Sequence, residues 1–536
     1  MLDLSSLWTY VTILTVYVAL RGVSAHFLKT PKKLEKTAQR KMMLRFLLLT
    51  FLSAAVCYYT GMLIKDFAYN KMAAAVTGST EEEIYLSDAF LYETFFRGDE
   101  AIKAFGTYTF YVKSIYYYLG IEGDAEATAS ILDDYFAAST PQTNDYTGIS
   151  EGNNLIMILM ESFEYFAIDE ELTPTLYRLF YEDGILLDNY HSKAKTDIVE
   201  AYSLFGSFPS QGSLFRNYYN DTFPFTLPNM LRDNTDITLI KSYHNNEGSF
   251  YNRSNAHVDF GFDEHVDLDK MDITIDDYWV NSDYEMLLDQ ADAMIPDDGT
   301  PFFTFITSFV MHGGYEERTM FADTYAYFDE IGFYPGTSFY HTCMRTYMAA
   351  AMDFDKALEV LFQRLEDTGT LEDTTIVLFA DHLAYYYDFS YMVRGLSKEN
   401  AANPENYHLP ALIYDTKLKE ALADDGLTTI SKFVTTVDLP PTILNLFGVE
   451  YNPDWYVGFD IFSADESVIV SKQGGIFNDR YYTVDGTTIL SQATDATLDE
   501  WLAFKSDAIR AISKTNHLNL VYSIDYFAKK EIDTGD

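Results

Sequence analysis

From about residue 153 onward, continuous apolar runs alternate with longer segments in which apolar positions recur every three or four residues. Such apolar runs are typical of strands buried on both faces of a sheet, and the segments between them have the spacing of amphipathic helices. The predicted strands are 153–160, 235–243, 301–310, 374–380 and 409–414, and the predicted helices are 172–183, 276–294, 340–367 and 434–447. This alternation predicts an α/β domain in which helices cover both faces of the sheet.

The pattern changes after residue 465, where short apolar stretches are separated by turns that contain glycine. This spacing predicts a small antiparallel β appendage at the C-terminus. The expected globular domain is 151–536, and its C-terminal subdomain covers about 465–536. Residues 66–150, which combine helical segments with turn-rich stretches, are interpreted as a helical connector.

Two apolar runs lie near the N-terminus, at 7–20 and 42–64. About 20 apolar residues span a bilayer, so we predict two transmembrane helices within a membrane anchor at 1–65. A cleaved signal peptide is the alternative for the first run, although a basic segment does not precede it. Buried core helices are the alternative for both runs.

The segment between the two runs is basic, whereas the chain as a whole is acidic. Its cationic residues are Lys29, Lys32, Lys33, Lys36, Arg40, Lys41 and Arg45, and Glu35 alone opposes them. The positive-inside rule places such a loop in the cytoplasm, so the chain after residue 65 is expected outside the cell. The predicted location is the cell membrane, as a multi-pass protein with an extracellular globular domain.

Composition excludes several classes of protein. Hydrophobic residues make up 48% of the 536 residues and aromatic residues 16%, which is ample for a large core and argues against disorder. The net charge of −44 would repel a polyanion, so nucleic acid is not an expected partner. The two cysteines exclude a disulfide framework and a CxxC metal motif.

Candidate metal ligands stand where two of the predicted strands end. Glu161 follows the strand at 153–160, and Asp381 and His382 follow the strand at 374–380. Sites in open α/β sheets lie outside the carboxyl ends of such strands, so the pattern predicts one divalent-cation site at one sheet edge. Two carboxylates and an imidazole suit Mn²⁺ or Mg²⁺ better than a soft metal. The alternative is a solvated aspartate and a capped histidine that bind no ion.

Further polar residues are weak signals when each is taken alone. Thr196 suits a helix N-cap, because a glutamate follows four residues later and an apolar stretch comes after it. His244 suits a structural histidine at a strand end, with its ring nitrogens hydrogen-bonded within the protein. Arg253 suits a surface ion pair. His312 ends another apolar strand and precedes two glycines.

Taken together, the order of these segments resembles lipoteichoic acid synthase and related phosphoglycerol transferases of the alkaline phosphatase/sulfatase superfamily. In chain order the matching residues are Met160-Glu161-Ser162, Lys195-Thr196, His244, Arg253, His312 and Asp381-His382. The resemblance runs from about residue 100 to 490, and the segment 437–444 is similar to a late helix of the family. It implies a sulfatase/alkaline-phosphatase-like sheet in a membrane-anchored enzyme.

The resemblance also implies roles for these residues, with Thr196 as the nucleophile. The residues implied to bind one divalent ion, Mn²⁺ in this family or Mg²⁺ in its place, are Glu161, Thr196, Asp381 and His382. Those implied to hold the phosphoglycerol group are His244, Tyr251, Arg253 and His312. The implied reaction moves glycerol phosphate from phosphatidylglycerol, through a phosphothreonine, to a glycolipid or polyglycerolphosphate acceptor. A threonine hydroxyl needs activation at neutral pH, and metal coordination is a recognised route.

The chain departs from the family's pattern at several positions. The family usually has glycine before Asp-His, where this chain has Ala380, and tryptophan where it has Tyr251. The alternatives to phosphoglycerol transfer are a phosphoethanolamine transferase or phosphodiesterase of the same superfamily, and a non-catalytic relative that binds a polymer or a lipid. A sulfatase would need a C/S-x-P-x-R motif, which neither Cys57 nor Cys343 provides.

Overall fold

The computed structural model describes residues 125–533, apart from 138, 209–221, 276–279, 471–474, 485 and 487. The predicted anchor at 1–65, with its spans at 7–20 and 42–64, lies outside the described residues, as does most of the predicted connector at 66–150. None of the helices within the described ranges is long and apolar enough to cross a membrane. The membrane spans and the domain boundaries therefore stay predictions.

A mixed β-sheet lies at the centre of the described residues. In chain order the strands up to residue 435 are β1 (Asn154–Met160), β2 (Ile185–Leu187), β3 (Tyr190–His191), β4 (Leu239–Tyr243), β5 (Glu264–Val266), β6 (Phe302–Thr307), β7 (Thr374–Ala380), β8 (Ala411–Tyr414), β9 (Thr429–Ile430) and β10 (Val434–Thr435). The sheet has the order β5-β4-β6-β1-β7-β8-β2-β9, and β3 pairs with β10 beside it.

The middle of this sheet is parallel and buried on both faces. β1 pairs in parallel with β6 on one side and with β7 on the other. Every residue of β6 and β7 is buried, so both faces of these strands are covered, as their continuous apolar sequence predicts. β8 runs antiparallel to β7, which makes the whole sheet mixed.

Thirteen α-helices occur among the described residues. They are α1 (Ala125–Ala137), α2 (Pro174–Arg178), α3 (Thr196–Phe205), α4 (Leu227–Asn234), α5 (Arg253–Asp259), α6 (Asp283–Met294), α7 (Ala322–Ile331), α8 (Phe339–Thr368), α9 (Phe389–Arg394), α10 (Thr416–Asp424), α11 (Leu439–Leu446), α12 (Leu498–Ile524) and α13 (Tyr526–Asp533). The α6 and α8 helices pack on each other. Leu358 of α8, Met286 of α6 and Ile158 of β1 meet around one small apolar space, which shows how these two helices cover the sheet.

Several predicted elements begin or end at different residues. The predicted helix 434–447 is wrong at its start, because Val434–Thr435 pairs as β10 and helix α11 begins only at Leu439. The Thr435 hydroxyl and the Asp438 carboxylate form a capping box there, which fixes the first turn after the strand. The predicted helix 276–294 is also wrong at its start, since Ser282 caps a helix that begins at Asp283.

The predicted C-terminal appendage is confirmed as a four-stranded antiparallel sheet. Its strands are β11 (Ile469–Val470), β12 (Ile476–Phe477), β13 (Tyr481–Thr483) and β14 (Ile489–Gln492). The 27-residue helix α12 that follows it was not predicted. Polar side chains of this helix, such as Lys514 and Asn516, are buried beside apolar ones, so the helix lacks a clean apolar stripe in the sequence.

Candidate active site

Two neighbouring parallel strands bring three candidate metal ligands together. The register pairs Met160 of β1 with Ala380 of β7, so Glu161 and Asp381 leave the sheet side by side. His382 follows directly, and one ligand atom from each of the three side chains lies within 4.8 Å of the others. The carboxylates of Glu161 and Asp381 are buried, whereas the side chain of His382 is 12% exposed. We call Glu161, Asp381 and His382 the cation side of the site.

Ser162 holds the two carboxylates in position. It has a φ of 51°, an uncommon backbone conformation for serine that turns the chain sharply after β1. Its backbone N–H donates to Asp381 Oδ1 at 2.8 Å, and its hydroxyl donates to Glu161 Oε1 at 2.7 Å. The backbone N–H of His382 donates to the same Asp381 oxygen at 2.7 Å. Sequence reasoning noted Ser162 only as part of a motif and gave no sign of its conformation.

The donor set of the cation side fits a divalent cation. The buried Asp381 Oδ2 has no hydrogen-bond donor in good geometry among the described residues, and His382 Nε2 lies 3.3 Å from it. Burial raises the pKa of Asp381, and the charge of Glu161 raises it further. His382 Nδ1 donates to the carbonyl oxygen of Leu383 at 3.1 Å, which leaves Nε2 as the ligand atom. A cation held by these atoms would remove the repulsion between the carboxylates, and hard oxygen donors suit Mn²⁺ or Mg²⁺.

Thr196 is the first residue of α3 and contacts the cation side. Its hydroxyl donates to Glu161 Oε2 at 2.8 Å and lies 3.5 Å from His382 Nε2. The N-cap interpretation of Thr196 is wrong, because the N-cap residue is Lys195 and the threonine hydroxyl bonds to Glu161 instead. The backbone N–H groups and the dipole at this helix N-terminus favour a negatively charged group beside the hydroxyl.

Arg253 is the first residue of α5 and forms a buried ion pair one turn further along α3. Its Nε lies 3.0 Å from both carboxylate oxygens of Glu200, and the two side chains are 2% and 0% exposed. The interpretation of Arg253 as a surface ion pair is therefore wrong. The two NH₂ groups of Arg253 have no hydrogen-bond acceptor among the described residues. They therefore offer a fork suited to two oxygens of a phosphate.

Tyr251 and His244 lie beside Arg253. Tyr251 has a φ of 58°, and the Arg253 guanidinium lies 5.2 Å from the centre of its ring. His244 Nδ1 donates to the carbonyl oxygen of Thr307 at 2.9 Å. Burial, and then the charge of Arg253, hold the pKa of His244 well below its usual range. We call Arg253, His244 and Tyr251 the phosphate side of the site.

The tautomer of His244 determines what it can bind. Because the neutral ring carries its proton on Nδ1, its Nε2 is a hydrogen-bond acceptor. No partner for Nε2 exists among the described residues, so the strand-end interpretation of His244 explains only one of its two nitrogens. Nε2 is thus suited to a hydroxyl group of a ligand.

His312 lies near the cation side and against an aromatic loop. Its Nδ1 donates to the carbonyl oxygen of Gly313 at 2.5 Å, and its ring centre is 5.4 Å from that of Tyr386. Burial raises the pKa of Glu161, but the charges of His312 and His382 outweigh this effect and lower that pKa below its usual range. The charge of His312 thus acts on Glu161, the carboxylate that accepts a hydrogen bond from the Thr196 hydroxyl.

Sequence reasoning missed the role of Glu200, which connects the halves of the site. Glu200 was considered only as part of a helix-capping pattern, yet it orients Arg253 and also accepts from the Thr307 hydroxyl at 2.5 Å. Burial raises the pKa of Glu200, while Arg253 and that hydroxyl oppose the shift. The available signal was the spacing, because residues four apart lie on one helix face, which places Glu200 beneath Thr196.

The chain is similar in sequence to known proteins. The sequence profile of the Sulfatase family matches residues 153–449. Lipoteichoic acid synthase-like YvgJ of Bacillus subtilis is 23% identical over 442 residues, which are 78% of this chain and 68% of that protein. Lipoteichoic acid synthase 2 of the same species is 24% identical over 424 residues, 76% of this chain and 59% of that protein. The chain thus spans about two thirds or less of the length of these relatives.

Two solved structures share the fold. The lipoteichoic acid synthase LtaP from Listeria monocytogenes superposes with a TM-score of 0.54 and 19% identity, over 72% of this chain and 97% of that one. A protein of the alkaline phosphatase superfamily from Vibrio parahaemolyticus gives a TM-score of 0.51 and 17% identity, over 77% of this chain and 97% of that one. At these identities the likeness concerns the fold alone.

Proposed function

Because the chain belongs to the sulfatase family, and lipoteichoic acid synthases are among its relatives, we propose that it is a membrane-anchored phosphoglycerol transferase. It would move glycerol phosphate from phosphatidylglycerol, through a phosphothreonine at Thr196, to a glycolipid or polyglycerolphosphate acceptor. The observation that carries the proposal is the helix α3, which directs Thr196 to the cation side and Glu200 to Arg253. A nucleophile and an anion-binding fork are thereby held one helix turn apart.

Glu161, Asp381, His382 and the Thr196 hydroxyl would hold the divalent cation, Mn²⁺ or Mg²⁺. Bound there, it would supply Lewis-acid stabilisation of phosphoryl charge and a lowered pKa for the threonine hydroxyl. The family model and the donor set support a metal site, and the metal itself is part of the proposal.

In the first half-reaction, Thr196 Oγ1 forms a bond to phosphorus while the bond from phosphorus to the diacylglycerol oxygen breaks. The Thr196 hydroxyl already donates to Glu161 Oε2, so its proton has an acceptor and its lone pairs are available for attack. The NH₂ groups of Arg253 would bind two phosphoryl oxygens. His312 would give a proton to the departing diacylglycerol oxygen.

In the second half-reaction, an acceptor hydroxyl attacks the phosphorus and the Thr196 oxygen leaves. His312, now deprotonated, would take the proton of the acceptor hydroxyl, and Thr196 would recover its own proton. The net change is the transfer of one glycerophosphoryl group. The donor is not hydrolysed as long as the acceptor hydroxyl attacks the phosphothreonine before a water molecule does.

His244 favours glycerol over ethanolamine as the headgroup. Its Nε2 accepts a hydrogen bond, which suits a glycerol hydroxyl. Burial and then the charge of Arg253 lower the pKa of His244, and the same positive charge would disfavour the ammonium group of ethanolamine. A non-catalytic binding relative would have no need for a threonine hydroxyl bonded to a buried carboxylate.

The donor preference tests this function. The full-length chain would be placed in nanodiscs with Mn²⁺, and diacylglycerol release would be measured with phosphatidylglycerol or phosphatidylethanolamine as the donor. We expect release from phosphatidylglycerol alone, and its loss by at least about a thousandfold in Thr196→Ala. Equal release from both lipids would favour a broader phosphodiesterase, and release by the alanine variant would exclude Thr196 as the nucleophile.

A further inference from the structure

Four large aromatic side chains are exposed near the site, two of them in the first turn of helix α8. Tyr334, Phe339, Tyr340 and Tyr387 are 44%, 46%, 47% and 42% exposed. We call these four residues the aromatic rim. A soluble domain rarely leaves contiguous aromatic rings in water, so a cluster of this kind indicates a surface that binds something.

The aromatic rim is continuous with the cation side. Ring centres lie 5.0 Å apart between His382 and Tyr385, and 5.0 Å apart between Tyr385 and Tyr386. The next contacts are Tyr386 to Tyr387 at 6.3 Å and Tyr387 to Phe339 at 4.9 Å. A row of rings thus leads from a candidate metal ligand to the surface. Whatever binds the rim is therefore close to the bond that reacts.

Two rim residues have an uncommon backbone conformation. Tyr334 has a φ of 44° and Tyr387 a φ of 57°, a region in which a bulky residue is strained. Strained backbone of this kind clusters at functional sites, because surrounding contacts must hold it in place. One such contact is the hydrogen bond that the Tyr387 hydroxyl donates to Glu316.

We propose that the aromatic rim contacts the interfacial layer of the phospholipid bilayer that contains the donor. This inference rests on the proposed function, in which the phosphate reacts at Thr196 while the acyl chains stay in the bilayer. Tyrosine and tryptophan side chains, which combine an apolar ring with a polar atom, are enriched at this layer. The rim would place the cation side over the headgroups and let the donor enter without leaving the membrane.

Ring geometry favours a bilayer over a carbohydrate as the occupant. The ring planes of Phe339 and Tyr387 meet at 79°, and those of Phe339 and Tyr340 at 61°. These rings therefore offer no shared flat platform on which a sugar could stack. Tilted rings can instead insert separately between lipid headgroups.

Charge does not draw this surface to a bilayer, so the contact has to be apolar. The net charge of −44 gives the chain no general attraction to an anionic membrane surface. Nearby cations are already paired, Lys398 with Asp388 at 2.6 Å and Arg345 with Asp329 at 2.7 Å. Contact with a bilayer rich in anionic lipid therefore requires apolar groups, which the rim supplies.

Fluorescence quenching tests the contact directly. Phe339→Trp would be made in the full-length chain and reconstituted into nanodiscs with brominated or ordinary phospholipids. Leu498→Trp, at a site that is 70% exposed on α12, is the matched control. We expect the brominated lipid to quench the added emission of Phe339→Trp and to leave that of Leu498→Trp unchanged. Equal quenching of the two added tryptophans, or none, would overturn the proposal.

A donor comparison tests the consequence for catalysis. We expect Phe339→Ser/Tyr340→Ser to slow turnover of phosphatidylglycerol in a bilayer by about tenfold or more. Turnover of monomeric short-chain phosphatidylglycerol should stay within about twofold of wild type, because neither residue touches a candidate ligand. Leu498→Ser/Leu502→Ser should match wild type with both donors. An equal loss with both donors would make the rim a structural element and contradict the proposal.

These experiments distinguish failure of the proposed function from failure of the proposal for the aromatic rim. If wild type turns over neither donor, the proposed function fails, whereas the quenching measurement still decides whether the rim touches lipid. If the Phe339→Trp emission responds to a soluble glucose disaccharide and not to brominated lipid, the rim is a carbohydrate surface and the proposal is wrong.

Discussion

The two sides of the candidate site lie at the same edge of the sheet but balance their charges in opposite ways. The cation side brings together the carboxylates of Glu161 and Asp381, with the imidazole of His382 beside them. The phosphate side contains Arg253, and the protein itself provides the opposing charge through Glu200. In the proposed function the cation side would be completed by an ion, whereas the chain itself supplies both charges of the phosphate side.

This difference assigns distinct tasks to the two sides. Electrostatic repulsion between buried carboxylates gives the cation side a strong preference for a divalent ion. Glu200 uses only the Nε of Arg253, so the guanidinium is oriented and yet keeps its NH₂ groups for an anion. Helix α3 fixes the distance between the two tasks, because Thr196 and Glu200 lie one turn apart on it.

Removing charge from the cation side should have the largest effect. In Asp381→Asn we expect activity to fall by at least about a hundredfold, because the ion loses a ligand. Without metal, the variant should be at least as stable as wild type, since the amide oxygen can still accept from Ser162 and His382 while the repulsion with Glu161 disappears. Thermal unfolding with Mn²⁺ or with a chelator measures both effects.

The control for that experiment is Asp373→Asn, which lies just before β7 and is 66% exposed. We expect this variant to keep the full stabilisation by Mn²⁺ and the full activity. An Asp381→Asn protein that Mn²⁺ stabilises as much as wild type would contradict the assignment of the cation side.

A smaller effect is expected from Glu200→Gln on the phosphate side. The substitution keeps the volume and one acceptor oxygen but removes the charge that orients Arg253, so kcat/KM should fall about tenfold to a hundredfold. The affinity for Mn²⁺ should stay unchanged. If Glu200 only supported the position of Thr196, the substitution would weaken metal binding as well.

Arg253→Lys, which cannot offer a planar fork, should raise KM for the donor more than it lowers kcat.

Titration of Mn²⁺ by calorimetry separates the two sides in Glu200→Gln. The exposed Glu420→Gln on α10 serves as the control, and it should match wild type in both activity and metal binding. A loss of metal affinity in Glu200→Gln that parallels its loss of activity would place Glu200 on the cation side and remove the distinction.

The last prediction concerns stability rather than activity, through the buried acid Asp283. Asp283 accepts from the backbone N–H groups of Phe309 and Val310 and from the side chain of Asn245. Burial, and then the charge of Asp353, raise the pKa of Asp283 to about 8 from its usual 3.8. Between these values the folded chain holds a proton that the unfolded chain releases, so the contribution of Asp283 to stability decreases as the pH rises from about 4 to about 8.

Denaturant unfolding of wild type and Asp283→Asn across this range tests that prediction. The stability of wild type relative to the variant should decline with pH, by up to about 1.4 kcal/mol per pH unit. A difference that stays constant from pH 4 to 8 would mean that Asp283 does not titrate in the folded state in this range.

The sequence was informative where one short segment determines one feature. The apolar strands 153–160 and 374–380 end almost where predicted, and they carry Glu161 and Asp381-His382 at their carboxyl ends. Each of these strands is buried on both faces, and a short continuous run of apolar residues predicts such a strand directly. The appendage after residue 465 was predicted from its local turns and short strands.

Features that depend on distant contacts could not be predicted. The pairing of β1 with β7 across more than 200 residues, and the antiparallel direction of β8, depend on the whole sheet. The φ of Ser162 is imposed by its bonds to Glu161 and Asp381, and the role of Glu200 depends on where α5 places Arg253. These features are determined by tertiary contacts, which the conformational preferences of a short segment do not reveal.

The central claim is that Thr196 forms a covalent bond to the phosphorus of the donor. The most direct test is the intact mass of the full-length chain after incubation with Mn²⁺ and phosphatidylglycerol without an acceptor, followed by an acid quench and peptide mapping. We predict a gain of one glycerophosphoryl unit located on Thr196, and no gain in Thr196→Ala. Release of diacylglycerol without any adduct, or an adduct on another residue, would contradict the account.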